Sequence, residues 1–355
     1  MSTTHNKTVS PPTARAAADQ AAGKASVEMF YRAPLWLPNS HAQTIVPALF
    51  ARLPAVHYRR ERWDTPDGDF IELDWVVDES PVRDEAPSTD TPLFVLFHGL
   101  EGSSESHYAR ALMAASRELG WQGVVPHFRS CSGPLNLLPR FYHLADSAEV
   151  DWILRRLRDT HRGPIVAAGV SLGGNVLLRW LGERREDASF LAAAAAISAP
   201  LDVHAGGRAL SQGFGKVYTR SFLKTLKVKA LQKLEQYPGL FDPTAVLASR
   251  NLYEFDNVVT APLHGFRNTD DYWTRATTRP LLPDITVPTL VLNARNDPFL
   301  PGAVLPGRHE VSAAIELDQP QHGGHVGFMT GPFPGRVDWL AQRVFNYFAP
   351  FLDHG

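Results

Sequence analysis

Five short runs in this chain are apolar throughout, at residues 93–97, 123–126, 165–168, 191–197 and 289–292. A strand with one wet face alternates apolar and polar residues, whereas a strand covered on both faces is apolar at every position. These runs therefore predict a buried, mostly parallel sheet. Between them, residues 107–119, 144–158 and 175–183 carry apolar side chains at helical spacing. Strand and helix alternate, so the fold class is α/β, with a central sheet and helices on both of its faces. Residues 57–63 and 70–76 do alternate, and Pro66-Asp67-Gly68 lies between them, which predicts an antiparallel hairpin at the sheet edge.

The alternation stops near residue 202 and resumes near 288. The intervening block, 203–280, contains a predicted helix at 217–237 with Leu223, Leu226, Ala230 and Leu234 at helical spacing. An insertion between late strands of such a sheet lies above their carboxyl ends, where ligands bind, so this block is a candidate helical lid. The α/β core is expected over 28–202 and 281–355. Residues 1–27, rich in Thr, Ala and Pro, read as a flexible leader, and 78–91 as an acidic loop. Residues 33–50, dense in Pro, Trp, Leu and Ile taken together, read as an irregular arm laid over the body.

Composition narrows the function classes. A net charge of −2 over 355 residues removes the basic footprint of a nucleic-acid-binding protein. The single cysteine, Cys131, excludes an intramolecular disulfide and a cysteine metal cluster. The longest apolar run, 191–197, is far short of the ~18 residues that suggest a membrane span, and the N-terminus lacks a basic start followed by an apolar stretch. A cytoplasmic protein is the expectation.

The sharpest motif is Gly169-Val170-Ser171-Leu172-Gly173-Gly174, a G-x-S-x-G elbow set between a predicted strand and a predicted helix. Both contexts that the motif needs are present. Ser171 is the candidate nucleophile, and the glycines around it relieve the crowding of a sharp strand-to-helix turn. Upstream, His98-Gly99-Leu100-Glu101-Gly102 follows the first buried strand, where an oxyanion-hole amide is expected; Leu100 and Leu172 are the two candidate donors. Glu101 reads as a solvated or helix-capping carboxylate.

Chain order in this architecture puts the acid and then the base after the serine. His325, in the glycine-rich His322-Gly323-Gly324-His325, follows the strand-like run 314–317 and is the candidate base, with His322 as competitor. Asp297, just beyond the run 289–292, is the candidate acid, and Asp202 is the alternative. Phe222 and Leu226 of the insertion are candidate substrate contacts. Arg129, Tyr142 and His143 shape a pocket floor or simply pack, and Cys131 reads as a packed thiol. No metal site and no cofactor are implied: the chain has no His-Glu-x-x-His helix, Walker loop or dinucleotide fingerprint.

Several of these segments, with two more, resemble the YheT-like branch of the α/β-hydrolase superfamily, which includes bacterial esterase candidates, yeast ethanol acyltransferases and mammalian lipases. The matching segments are Pro38-Asn39-Ser40-His41-Ala42-Gln43-Thr44, Pro66-Asp67-Gly68-Asp69-Phe70, His98 to Ser103, Phe128-Arg129-Ser130-Cys131-Ser132-Gly133, the elbow through Asn175, Asn296-Asp297-Pro298-Phe299 and Gly323 to Phe328. The resemblance spans about residues 30–350 and implies the triad Ser171, Asp297 and His325. Hydrolysis of a small-molecule acyl ester through an acyl-serine is the leading expectation. Acyl transfer to an alcohol by the same intermediate and a catalytically silent binding scaffold are the alternatives. The basic amphipathic character of 216–234 adds peripheral lipid contact as a further expectation.

Overall fold

The computed structural model describes residues 30–77 and 89–352. The expected leader, 1–27, and most of the acidic loop, 78–91, lie outside the described residues. Eight strands form one sheet in the order β1-β2-β4-β3-β5-β6-β7-β8. The hairpin β1 (His57–Asp64) and β2 (Phe70–Val77) is antiparallel, turning where the Gly68 N–H meets the Thr65 carbonyl at 3.0 Å. Strand β2 also runs antiparallel to β4 (Gln122–Pro126). The remaining pairings, through β3 (Leu93–Phe97), β5 (Ile165–Val170), β6 (Leu191–Ile197), β7 (Thr289–Leu292) and β8 (Ile315–Asp318), are parallel.

Each buried strand serves two cores, because alternate side chains leave opposite faces. Leu93, Val95 and Phe97 join one apolar cluster, while Phe94 and Leu96 join the other. All five are fully buried, and each contributes about 1.5–3 kcal/mol by leaving water. Four helices cover the sheet. Their order is α2 (His107–Glu118), α3 (Ser147–Thr160), α4 (Leu172–Arg184) and α10 (Asp338–Phe348), with α2 and α10 on one face and α3 and α4 on the other. Between β6 and β7 lie α5 (Val203–Leu210), the 22-residue α6 (Gly215–Gln236), α7 (Pro243–Ala248), α8 (Leu252–Phe255) and α9 (Thr269–Ala276).

The arm departs from expectation. Residues Ser40–Phe50 form a helix, α1, despite Pro47 in its interior. Asn39 caps it by accepting the Ala42 N–H at 2.9 Å. Proline in a helix ordinarily costs about 3 kcal/mol, partly through the carbonyl four residues back. Here that carbonyl, of Gln43, is pressed against Gly327, where a Cβ would come within 1.8 Å of it. The helix is stabilised by its contacts with the rest of the fold, which local composition does not report.

Candidate active site

Ser171 occupies the sharp turn from β5 into α4, at φ 52° and ψ −116°. Such a backbone costs a non-glycine residue on the order of 1–3 kcal/mol, so neighbouring bonds must hold it. They do: the Ser171 N–H reaches the Ile197 carbonyl at 2.8 Å, and the Ser171 carbonyl accepts the Asn175 N–H at 3.0 Å. The flanking glycines are fixed by crowding. A Cβ on Gly169 would lie 2.4 Å from the Gly173 carbonyl oxygen, and one on Gly173 would lie 2.3 Å from that of Phe97. Asn175 then ties the start of α4 to the insertion, donating to the Leu144 and Ala276 carbonyls and accepting from Thr278.

The loop after β3 passes directly beside the serine: a Cβ on Gly99 would meet Ser171 Cβ at 3.3 Å. His98 pins this loop. Burial pushes its imidazole pKa down to about 3, so the ring is neutral, and Nε2 accepts the Phe128 N–H at 3.1 Å. Its proton therefore sits on Nδ1, which donates to the Gly99 carbonyl at 2.8 Å. The Gly99 N–H is taken by the Tyr108 hydroxyl and the Glu101 N–H by the Tyr142 hydroxyl, each at 2.8 Å. Those bonds occupy the amides on either side of Leu100, while Leu172 opens α4 beside Ser171.

Asp297 and His325 meet. His325 Nδ1 lies 2.8 Å from Asp297 Oδ2, whose carboxylate is fully buried, and Asp297 Oδ1 accepts the Phe299 N–H at 2.7 Å. The Phe299 ring stacks on the imidazole with centroids 4.0 Å apart. The alternatives lie elsewhere. Asp202 caps α5 through the Ala205 N–H, and His322 is exposed, its nearest described partner being Asn296 at 3.4 Å.

The clamp on this pair comes from α1, which sequence reasoning left without a role. Buried Gln43 uses one amide oxygen to accept both the Asn296 side chain and the Gly323 N–H, each at 2.9 Å. The Thr44 hydroxyl accepts the His325 N–H at 2.9 Å and donates to the Ser40 carbonyl at 2.8 Å. The arm thus spans the loop carrying Asp297 and the loop carrying His325. His107 holds the latter from the other side, donating to the Val326 carbonyl at 3.0 Å. Polar residues in a stretch otherwise dense in apolar side chains were the available signal.

Two cavities meet at the serine. An inner one, largely apolar, runs under the insertion past Leu144, Leu210, Phe222, Leu226, Phe255 and Trp273. An outer vestibule opens between α1 and α6, past Ile45, Ala48, Leu49, Val217, Tyr218 and Ser221. Leu100, Ser171, Phe222, Phe299 and His325 line both, whereas Leu172 and Leu226 line only the inner one.

Some side chains depart from expectation. Glu101 is neither solvated nor a helix cap: at φ 55° it pairs with Lys229 of α6 at 2.7 Å and accepts the Tyr142 hydroxyl proton at 2.8 Å. The lysines of α6 do not all face water, since Lys233 is buried against the Asn136 carbonyl at 2.6 Å and Lys227 donates to the Leu247 and Ser249 carbonyls. These carbonyls and Glu101 compensate the desolvated ammonium groups. Tyr142 and His143 line the inner cavity, but Arg129 lies away from it, paired with Asp69 and Glu149. Burial pushes the Cys131 thiol up to about 12, so it stays protonated and inert.

Residues 92–332 match the family model of the α/β-hydrolase fold. The esterase candidate YheT of Escherichia coli (strain K12) is 37% identical over 318 residues, covering 89% of this chain and 92% of that protein. Phospholipase ABHD3 of Mus musculus is 30% identical over 331 residues, 92% of this chain and 79% of its own length. Among solved structures, the Pyrococcus furiosus esterase PF2001 superposes with a TM-score of 0.51 at 14% identity, covering 84% of this chain and 92% of that one, a likeness of fold. The strained turn at Ser171, the sheet order and the extent of these matches agree, and the chain belongs to the α/β-hydrolase family, in its YheT-like branch.

Proposed function

We propose that the protein is a serine carboxylester hydrolase that works through an acyl-Ser171 intermediate. The observation that carries this reading is that the strained Ser171 and the hydrogen-bonded Asp297–His325 pair come together where two cavities join. In this mechanism Ser171 Oγ attacks the ester carbonyl and its proton passes to His325 Nε2. Asp297 accepts the Nδ1–H, which fixes the tautomer and stabilises the imidazolium. The Leu100 and Leu172 N–H groups receive the oxyanion. Collapse expels the alcohol, protonated by His325; water, deprotonated by the same imidazole, then releases the acid.

The cavities divide the substrate. The inner one takes the acyl chain, with the insertion as its roof and Phe222 and Leu226 as direct contacts, and the vestibule admits the alcohol portion and water. Each acyl CH₂ buried there contributes at most ~0.8 kcal/mol, so kcat/KM should rise with chain length until the inner cavity is full. A series of p-nitrophenyl esters measures this. Phe222→Ala and Leu226→Ala should flatten the rise while sparing acetate; a profile that neither substitution alters would refute the assignment of the inner cavity to the acyl chain.

The clamp from α1 predicts a second kinetic signature. Thr44→Val removes the acceptor for the His325 N–H and should lower kcat about tenfold with KM nearly unchanged, whereas Thr44→Ser keeps the hydroxyl and should restore it. Equal activity of the two variants would remove Thr44 from the positioning of His325.

A further inference from the structure

Glu101 stands where the backbone favours glycine. The Gly102 N–H meets the Gly99 carbonyl at 2.9 Å, closing a turn over Leu100 and Glu101, and Glu101 adopts φ 55° at the third position of that turn. A turn with positive φ there ordinarily carries glycine or asparagine, because a longer side chain is strained in that region. What the Glu101 side chain adds is a set of bonds. Its Oε1 accepts the Tyr142 hydroxyl at 2.8 Å, while the Tyr142 oxygen accepts the Glu101 N–H. The Tyr142 ring is buried and stacks on Phe128 with centroids 5.4 Å apart, and the Phe128 N–H is the one that His98 accepts. These partners all belong to the α/β core. The remaining one does not: Lys229 Nζ, from α6 of the insertion, reaches the same Glu101 oxygen at 2.7 Å.

A buried ion pair stabilises a fold little relative to apolar side chains of similar size. Yet the Lys229 and Glu101 side chains, 22% and 10% exposed, interrupt the largely apolar wall of the inner cavity. Apolar residues there would suit an acyl chain and leave no charge to compensate. Lys227 and Lys233, which bond backbone carbonyls, line neither of the cavities that meet at the serine. The pair is therefore local to the site, and Leu100, adjacent to Glu101 in the chain, lines both cavities beside Ser171.

We propose that Lys229 is a positioning residue for the oxyanion loop: by fixing the Glu101 carboxylate from the insertion, it holds the turn in the form that presents the Leu100 N–H to the reacting oxygen. The inference rests on the ester-hydrolase reading. It makes the insertion part of the reaction as well as the roof of the acyl cavity, because the turn is fully anchored only with α6 seated.

The test uses p-nitrophenyl acetate, whose acyl group is too short to report on the cavity wall. Lys229→Met should lower kcat roughly 10- to 100-fold with KM nearly unchanged, a part of the loss expected when an oxyanion donor is removed outright. Inhibition by 1,1,1-trifluoroacetone reads the oxyanion hole directly. The Ser171 oxygen adds to its carbonyl carbon, the π pair becomes the oxyanion and the hydroxyl proton passes to His325 Nε2, so Ki should rise by the same factor. Glu101→Gly removes the strain and the side chain together and should show both losses. The double variant leaves neither charge unpaired, so it should fold even where a single variant does not. Its kcat should be no lower than that of the weaker single variant, as for two groups that act as a unit. Unchanged kcat in either folded single variant, a lowered kcat with unchanged Ki, or losses that multiply in the double variant would each overturn the proposal. Where neither single variant folds, wild-type kcat in the double variant would do so. In all of these the wild type is active and the hydrolase reading stands; a wild type that neither hydrolyses the ester nor binds the ketone would overturn that reading and the positioning role with it.

Discussion

Ser171→Ala should lower kcat for ester hydrolysis by on the order of 10⁶, leaving only the residual rate that oxyanion contacts and substrate binding support. The size of this effect follows from the way the three side chains act as a unit. Without the hydroxyl, the His325 imidazole has no proton to take and the Leu100 and Leu172 amides face no covalent adduct. The fold should survive, because the turn is held by backbone bonds from Ser171 N–H to the Ile197 carbonyl and from Asn175 N–H to the Ser171 carbonyl. A fluorophosphonate probe gives an independent reading: intact-protein mass should show one adduct on the wild type and none on Ser171→Ala. Labelling that persists in the variant, or a well-folded wild type that takes no label, would remove Ser171 as the nucleophile.

How much of this was legible beforehand depended on whether the signal was local. Short runs that are apolar at every position, alternating with helical stretches, fit strands covered on both faces, and all five became strands of the sheet. Helix α4 starts at Leu172, three residues before the periodicity suggests, because Gly173 and Gly174 are poor helix formers that close packing nevertheless requires there. Likewise α3 starts at Ser147 rather than near 144, because the Leu144 backbone is engaged by Tyr272 and Asn175. The pairing of Asp297 with His325 was expected from chain order, from the glycine-rich loop around His325 and from the family resemblance, and the two side chains lie 2.8 Å apart.

What stayed hidden was long-range and polar. Gln43 reaches loops some 250 and 280 residues away, and Lys229 reaches Glu101 across 128 residues. No period in the sequence encodes such pairs. A partial signal existed in α6: six basic residues, Lys216 to Lys233, with no acid among them, on a helix with apolar side chains, imply carbonyl or carboxylate partners supplied by other elements. Three of those basic residues have such partners within the protein, and the exposed remainder, Lys216, Arg220 and Lys224, lines a groove between α6 and the segment that follows α7.

Asp297→Asn should lower kcat by roughly 10²–10⁴-fold while leaving KM and the melting temperature close to those of the wild type. Asn retains a side-chain oxygen for the Phe299 N–H, so the loop geometry has what it needs. It can present its NH₂ to His325 Nδ1, and the imidazole then takes the tautomer with its proton on Nε2, pointing the wrong way for accepting the serine proton. Asp202→Ala provides the contrast, since Asp202 bonds the Ala205 N–H as the cap of α5. Its loss should cost about 1 kcal/mol of stability and leave kcat intact. The same logic separates the histidines: His325→Ala should abolish turnover, whereas His322→Ala, at an exposed position, should behave as wild type. Steady-state kinetics and thermal melts of the four variants decide the matter. Inactivity of Asp202→Ala in a folded protein, beside a nearly active Asp297→Asn, would move the acid to the end of β6 and undo the assignment made here.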